Sequence, residues 1–174
     1  FADSGCKEKY FNALFKEIEL RKDIFETCVA DTVFIGGGTP SFVDAKYIKK
    51  ALSMLDIKPD AEITIEANPG TLNDEKLKIY RDCGINRISL GVQSLNDSEL
   101  KTIGRIHSAY EVNKSVEMIL KWGFSNYNLD LENKDFKSLF KEYENMYSTY
   151  YMNENNVATI NFAYHQGDIT IYPD

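Results

Sequence analysis

Short apolar segments rich in β-branched residues alternate with stretches of helical periodicity along most of this chain. Such segments are bounded by turn residues, as buried parallel strands usually are. They occupy residues 32–35, 63–67, 88–92, 127–131 and 158–162, with a further one at 169–172. The alternation predicts βαβ units with right-handed crossovers. A parallel sheet of this kind closes into a barrel or stays open, and in both cases its ligand site lies at the C-terminal ends of the strands.

The intervals between these segments carry apolar residues at helical spacing. Ser108 and Glu111 are spaced as a capping box, and Gly84 and Gly123 stand where helices should end. No linker or repeat divides the pattern, so residues 1–174 are predicted to form a single domain. The predicted helices cover residues 8–25, 43–55, the region of 77–80, 108–123 and 136–146.

Charge and composition exclude several classes of protein. The formal net charge is -7, which argues against a nucleic-acid-binding surface because such a surface needs a basic face. No apolar run has the roughly 18 residues of a membrane span, and the first residues lack the pattern of a signal peptide. The three cysteines, Cys6, Cys28 and Cys83, include no Cys-x-x-Cys pair. They are therefore interpreted as structural or incidental thiols in a reducing cytoplasm.

A run of three glycines follows the first predicted strand, in the order Gly36, Gly37, Gly38, Thr39, Pro40. Successive glycines let a backbone approach a ligand closely and expose its N–H and C=O groups. The run lacks the Gly-Lys-Ser/Thr of a phosphate-binding loop and the third glycine of a dinucleotide fingerprint. It predicts a ligand loop, although a tight strand-to-helix turn without a ligand would use the same residues.

Polar residues follow the other predicted strands at the same edge. They are Glu66, Asn68, Gln93 and Asp130. Each has a simple structural alternative. Glu66 could be a solvent-facing or ion-paired carboxylate, and Asn68 could belong to a turn. Gln93 could hydrogen-bond the end of its strand, and Asp130 could cap the next helix. Their shared edge makes a binding site the better interpretation.

Arg105 and His107 follow in the stretch Ile-Gly-Arg-Ile-His. Arginine suits bidentate capture of a carboxylate, but a surface arginine is the favoured interpretation of the residue alone. His107 directly precedes the predicted capping box, so a structural role is favoured for it over a catalytic one.

Four stretches, in this order, resemble one known family. They are Phe-Ile-Gly-Gly-Gly-Thr-Pro-Ser from Phe34, Ile-Glu-Ala-Asn-Pro-Gly from Ile65, Asn-Arg-Ile-Ser-Leu-Gly-Val-Gln-Ser from Asn86 and Gly-Phe-Ser-Asn-Tyr-Asn-Leu-Asp-Leu from Gly123. The series is similar to radical S-adenosylmethionine proteins of the group that contains oxygen-independent coproporphyrinogen III oxidase and a related haem chaperone. The resemblance covers about residues 8 to 131 and implies a partial six-unit (β/α) barrel of the TIM-like type, without its first strand and cluster loop.

The resemblance also implies cofactors and residue roles. Family members bind a [4Fe–4S] cluster through a Cys-x-x-x-Cys-x-x-Cys loop and use S-adenosylmethionine as the source of a 5′-deoxyadenosyl radical. By motif match, residues 36–39 would line the methionine amino end and Glu66 would contact the cofactor. Gln93 and Asp130 would bind ribose hydroxyls, and Arg105 would pair with the carboxylate. Asn68 belongs to the same predicted site.

Departures from the family pattern shape the remaining expectations. The cluster cysteines are expected upstream of Phe1, so this chain alone is expected to be inactive. The loop that follows the Asn-x-Asp-Leu motif in the family is missing after Leu131, and no C-terminal substrate domain is visible. The implied partners are a porphyrinogen or haem and an electron donor such as flavodoxin or ferredoxin.

Four functions remain open for the parent protein at this point. The favoured one is oxidative decarboxylation of coproporphyrinogen in haem synthesis, and the second is haem binding by a chaperone of the same family. A peptide-modifying radical enzyme and a nucleotide-binding α/β domain are the third and fourth.

Overall fold

The structure, a computed structural model, describes residues 4–131, 149–152, 158–161 and 168–171. Helices and strands alternate through residue 131, as the sequence pattern predicts. The helices are α1 (Ser4–Leu20), α2 (Lys22–Thr27), α3 (Ala45–Leu52), α4 (Asp74–Asp82), α5 (Asp97–Thr102) and α6 (Ala109–Lys121), with a 3-10 turn at Pro40–Phe42. The strands are β1 (Ala30–Ile35), β2 (Ile57–Ala67), β3 (Arg87–Gln93), β4 (Asn126–Leu131), β5 (Thr149–Met152), β6 (Ala158–Asn161) and β7 (Asp168–Ile171).

The described strands form one sheet in the order β1-β2-β3-β4-β7-β6-β5. Pairing is parallel from β1 through β4 and on to β7. This confirms the predicted α/β fold with a parallel sheet. The carboxyl ends of β1 to β4 therefore share one edge, where the glycine run and the polar strand-end residues are placed.

The pairing of β6 with its two neighbours differs from the prediction of parallel strands throughout, whereas the predicted strand at 169–172 is present as β7 and pairs parallel with β4. A strand is present at 158–161, but it runs antiparallel to both β5 and β7. The reason is the length of the connections between these strands. A parallel pair needs a crossover of about a dozen residues, and the connections at 153–157 and 162–167 are shorter than that. The predicted helix at 136–146 lies outside the described residues.

Local capping signals place the helix ends. Ser108 and Glu111 form the predicted capping box at the start of α6, and Gly84 and Gly123 have positive φ angles of 91° and 73° just past α4 and α6. The predicted helix at 8–25 is divided at Arg21, which has φ -104° and ψ 18° and leaves the helical region.

The two faces of the parallel strands have opposite character. Since successive side chains point to opposite faces, each strand contributes both to the core and to the other side of the sheet. Ile65, Ile88 and Leu129 are buried in one apolar core with Leu77 of α4 and Ile119 of α6. The opposite face carries mostly polar residues, so these strands are not apolar on both sides as the sequence interpretation assumed. These residues are Glu62, Thr64, Glu66, Arg87, Ser89, Asn126, Asn128 and Asp130.

Candidate functional site

A cavity of about 570 Å³ opens on the polar face, toward the carboxyl ends of the parallel strands. Phe34 and Leu131 provide its apolar walls. Its polar lining consists of Glu66, Arg87, Ser89, Gln93, Asn128 and Asp130. Three predicted site residues, Glu66, Gln93 and Asp130, are thus brought together by β2, β3 and β4, although they are far apart in the sequence.

A second cavity, of about 590 Å³, lies between α1 and β1 on the helix side of the sheet. Its lining is mainly apolar and includes Phe11, Val33, Ile35 and Ile48. Three predicted site residues of the glycine run, Gly36, Gly37 and Thr39, line this cavity and not the first one. A charged, hydroxyl-rich ligand needs convergent polar groups, which only the first of these two cavities offers among the described residues. The first cavity is therefore the candidate site.

The glycine run is held against Glu66. The Gly37 N–H donates a hydrogen bond of 3.0 Å to Glu66 Oε2. A Cβ on Gly36 would lie 2.5 Å from the Phe34 ring and 3.1 Å from the Glu66 carboxyl carbon, so Gly36 is needed for this close packing. Gly37 and Gly38 have φ angles of 85° and 57°, and no atom lies within 4 Å of the Cβ position of either. The loop thus combines a fixed conformation with open space beside its backbone.

Asn68 and the 3-10 turn fix the rest of the loop. The Asn68 side chain donates to Thr39 Oγ1 at 3.0 Å, and the Asn68 backbone N–H donates to Ser41 Oγ at 3.3 Å. The Lys76 ammonium of α4 donates to the carbonyls of Ser41 and Thr71, the latter at 3.1 Å. Burial lowers the pKa of Lys76. Asn68 therefore shapes the loop rather than lining the cavity, and sequence reasoning missed the contribution of Lys76.

Gln93 ends β3 in an unusual backbone conformation. Its φ of 69° places a residue other than glycine in the left-handed region, which is uncommon and is concentrated at functional sites. The residue is 8% exposed. A Cβ on Gly91 would lie 2.7 Å from Asn68 Oδ1 and 3.2 Å from Gln93 Nε2. Gly91 therefore lets the Asn68 and Gln93 side chains both pack closely against its backbone.

Asp130 is held by donors on both of its oxygens. Ser89 Oγ donates to Oδ2 at 2.9 Å and Asn128 Nδ2 donates to Oδ1 at 2.7 Å. Burial raises the pKa of Asp130, while the two hydrogen bonds favour the ionised form and act against that shift. The nearby Glu66 also raises the Asp130 pKa, and Arg87 lowers it. The carboxylate can still accept hydrogen bonds from the cavity.

Arg105 and His107 lie in the loop between α5 and α6. The Arg105 side chain is half-buried and is not part of the cavity lining given above. Its predicted contact with the ligand carboxylate stays a prediction. His107 is buried, and its Nε2 lies 2.9 Å from the Val92 carbonyl oxygen, which agrees with the structural role inferred for it.

The cysteines do not assemble a metal site. Cys6 and Cys28 are exposed, Cys83 is half-buried, and none of the three forms a disulfide. Burial raises the pKa of the Cys83 thiol. Within residues 4–131 and the three later strands, no group of three His, Cys, Asp or Glu side chains could hold a metal ion. The described residues therefore do not fit an iron–sulfur cluster. In the same part of the chain, no helix is long and apolar enough to cross a membrane.

Ser89, Arg87 and Asn128 are cavity residues that sequence reasoning missed. The available signal was the period of two along the strands: Arg87 and Ser89 alternate with Ile88 and Leu90, and Asn128 and Asp130 alternate with Leu129. Such alternation marks a polar face, whereas attention to strand ends alone selects only residues close to the end of each strand.

Parallel strands flanked by helices, with a glycine loop and a polar cavity at their carboxyl ends, are typical of a domain of the α/β barrel type. Residues 6–133 match the model of the Radical SAM superfamily. The chain belongs to the radical S-adenosylmethionine superfamily.

Two sets of relatives resemble the chain. It is 42% identical over 128 residues to the heme chaperone HemW of Lactococcus lactis and 41% identical over 138 residues to that of Bacillus subtilis. These matches cover 71% and 75% of this chain but 33% and 36% of the relatives, so the chain spans about a third of their length. The solved structure of coproporphyrinogen III oxidase HemN from Escherichia coli matches with a TM-score of 0.66 and 28% identity, over 71% of this chain and 30% of the oxidase chain.

A third match concerns the fold alone. The Elp3 protein of Methanocaldococcus infernus aligns with 90% of this chain and 40% of its own, at a TM-score of 0.57 and 18% identity. The oxidase and Elp3 structures together confirm the fold class, since both resemble the sheet described above.

Proposed function

We propose that the polar cavity binds S-adenosylmethionine and that the parent protein is a haem-binding chaperone of the radical S-adenosylmethionine superfamily. The observation that carries the proposal is the convergence of Glu66, Gln93 and Asp130 beside the glycine loop in a chain more than 40% identical to heme chaperones. This replaces the oxidase, which the sequence interpretation favoured, as the first candidate.

The chemistry of the cavity suits this cofactor. S-adenosylmethionine has an ammonium and ribose hydroxyls that need acceptors, and a carboxylate that needs donors. Asp130 keeps acceptor capacity toward the cavity, and Gln93 offers both an acceptor and donors. The open space beside Gly37 and Gly38 would expose backbone groups to the methionine end, with Glu66 fixing the loop through Gly37. Arg105 remains a predicted partner for the carboxylate.

A [4Fe–4S] cluster is the second cofactor that the superfamily implies. The described residues do not fit it, so its ligands remain predicted upstream of Phe1. When bound, S-adenosylmethionine would supply a 5′-deoxyadenosyl radical. The part of this chain in that chemistry would be to orient the nucleoside and to exclude water from the cavity. A flavodoxin- or ferredoxin-like electron donor and a cytoplasmic location are further parts of the proposal.

Coproporphyrinogen oxidation is the second candidate function. It is favoured by the structural match to the oxidase, at 28% identity over 71% of this chain. The chaperone is preferred because the sequence identity to heme chaperones is higher over a similar share of the chain. Both candidates require the same cofactor site, so tests of the site and of the whole protein's role must be separate.

Binding of S-adenosylmethionine tests the site. The full-length protein, reconstituted anaerobically with iron and sulfide, should bind S-adenosylmethionine in equilibrium dialysis. Asp130→Asn should weaken binding, because an amide puts a donor where the Asn128 and Ser89 donors need an acceptor. Lys78→Gln is the control, since Lys78 pairs with Asp82 on an exposed helix face. Equal affinities for the wild-type and Asp130→Asn proteins would show that the site is misassigned.

Haem titration and porphyrinogen turnover test the role of the whole protein. The chaperone proposal expects a Soret band that saturates at a fixed haem ratio, with no conversion of coproporphyrinogen III when an electron donor and S-adenosylmethionine are supplied. Conversion to a divinyl product would establish the oxidase instead. Absence of both haem binding and turnover would reject both candidates.

A further inference from the structure

Arg87 links two polar groups at the base of the cavity. Its Nη1 donates to Glu62 Oε1 at 3.1 Å, and its Nη2 donates to Asn128 Oδ1 at 3.3 Å. A guanidinium has only donors, so the atom of Asn128 that faces it must be the amide oxygen. Because an amide carries its oxygen and its NH₂ group on opposite branches, Arg87 also determines where the Asn128 NH₂ group points.

That NH₂ group points toward Ser89 and Asp130 in the cavity lining. Asn128 Nδ2 donates to Asp130 Oδ1 at 2.7 Å and to Ser89 Oγ at 2.9 Å. Ser89 Oγ in turn donates to Asp130 Oδ2 at 2.9 Å. The hydrogen bonds therefore run in one direction, from the guanidinium through the amide and the hydroxyl to the carboxylate.

We propose that Arg87 is a positioning residue that fixes the orientation of the Asn128 amide and thereby presents Asp130 to the cavity as a hydrogen-bond acceptor. This inference rests on the proposed function, in which Asp130 binds S-adenosylmethionine. Arg87 acts through Asn128, which is 5% exposed and cannot exchange these partners for water without leaving its place.

Replacing the guanidinium by an amide removes this control. A Gln at position 87 has both a donor and an acceptor, so Asn128 can be bonded in either of its two flip states. In the flipped state Asn128 Oδ1 faces the Asp130 carboxylate, and the two acceptors repel each other. Asp130 would then turn away or take up a proton, and in either case it loses its role as an acceptor for the ligand.

A double-mutant cycle on S-adenosylmethionine affinity tests this inference. The proteins are wild type, Arg87→Gln, Asp130→Asn and the double variant, each full length and reconstituted anaerobically with iron and sulfide. Arg87→Gln alone should weaken binding about fivefold to tenfold, the value of one well-placed hydrogen bond. In the Asp130→Asn background the same change should have no further effect, because the group that Arg87 positions is already lost.

Two variants separate positioning from folding and from general loss of charge. Arg87→Lys keeps a donor-only group and should hold the affinity within about twofold of wild type, since an ammonium also accepts no hydrogen bond. Arg81→Gln is the matched control, because Arg81 is exposed on α4 and lies over the Phe124 ring on the helix side. It should leave the affinity unchanged.

Each outcome decides between defined alternatives. Equal weakening by Arg87→Gln in both backgrounds would mean that Arg87 contacts the ligand itself, and the inference would be overturned. It would also be overturned if Arg87→Gln bound as tightly as wild type, or if Arg87→Lys bound as weakly as Arg87→Gln. Weakened binding by Asp130→Asn together with an inert Arg87→Gln rejects only the positioning role. Unchanged binding by Asp130→Asn rejects the proposed site and the inference with it.

Discussion

Gly91→Ala tests whether the close approach of Asn68 and Gln93 to the Gly91 backbone is required for ligand binding. The new Cβ would lie 2.7 Å from Asn68 Oδ1, whereas ordinary van der Waals contact begins at 3.4 Å, so Asn68 must retreat by about 0.7 Å. The Asn68 side chain is short, and its Nδ2 is bonded to Thr39 at 3.0 Å. A shift of this size therefore breaks that hydrogen bond and moves Gln93 as well.

The energy of the change follows from these contacts. Overpacking lowers the unfolding free energy by about 1–3 kcal/mol. This range already includes the broken hydrogen bond, because the same displacement of Asn68 causes both effects. Replacing glycine by alanine also raises the unfolding free energy by about 0.4–1 kcal/mol, because alanine restricts the conformations of the unfolded chain. The net loss of unfolding free energy is about 1 kcal/mol, which lowers the melting temperature by about 2–4 °C in a domain of this size. Misplacement of Gln93 should weaken S-adenosylmethionine binding about tenfold, equivalent to one lost hydrogen bond.

The assay pairs thermal unfolding with equilibrium dialysis of S-adenosylmethionine. Gly123→Ala is the matched control, because Gly123 has a φ of 73° and no atom within 4 Å of its Cβ position. Its left-handed conformation costs an alanine about 1–2 kcal/mol, a similar loss of stability for a different reason. Only Gly91→Ala should weaken binding. Equal affinities for the two variants would refute the reasoning from close approach.

Further variants and a pH series probe other features of the site and core. Tyr80 is fully buried and its hydroxyl has no hydrogen-bond partner among the described residues, so Tyr80→Phe should raise the unfolding free energy by up to about 1 kcal/mol. A lower melting temperature would contradict this. Burial raises the pKa of Asp130, and the carboxylate is the acceptor, so S-adenosylmethionine affinity should fall as pH decreases through that raised pKa. Affinity that stays constant until the protein unfolds would exclude this role. Gln93→Asn should keep stability, because asparagine tolerates the left-handed region, while its shorter side chain weakens binding; unchanged affinity would argue against a Gln93 contact.

Local patterns were sufficient to predict the parallel part of the fold. The β-branched runs gave β1 to β4, and the spacing of Ser108 and Glu111 gave the start of α6, because both features depend on residues close in the sequence. The edge strands were harder to predict. The short connections after β5 and β6 determine their antiparallel pairing. The residue composition of 158–162 predicts a strand but does not indicate the direction in which it runs. The strand at Thr149–Met152 was missed, although its run of threonine, tyrosines and methionine favours a strand.

The supporting contacts of the site could not be read from the sequence. Glu66 meets the Gly37 N–H from 29 positions away, and Ser89 meets Asp130 from 41 positions away. Such contacts depend on the register between strands, and a shift of one residue would turn each of these side chains to the opposite face. Sequence reasoning could place residues at the shared strand edge. It could not show that Arg105 would stand outside the cavity lining or that Lys76 would hold the loop.

The opposite faces of β2, β3 and β4 separate folding from ligand binding. Ile65, Ile88 and Leu129 lie on the helix face, where each is at most 5% exposed. Their immediate neighbours Glu66 and Asp130 lie on the cavity face. Buried polar groups contribute little to the unfolding free energy, because their hydrogen bonds are offset by the cost of desolvation. The apolar burial on the opposite face therefore supplies the stability of the sheet. A substitution on the cavity face can therefore alter ligand binding while the core stays intact, and a substitution in the core can lower stability while the cavity keeps its polar groups.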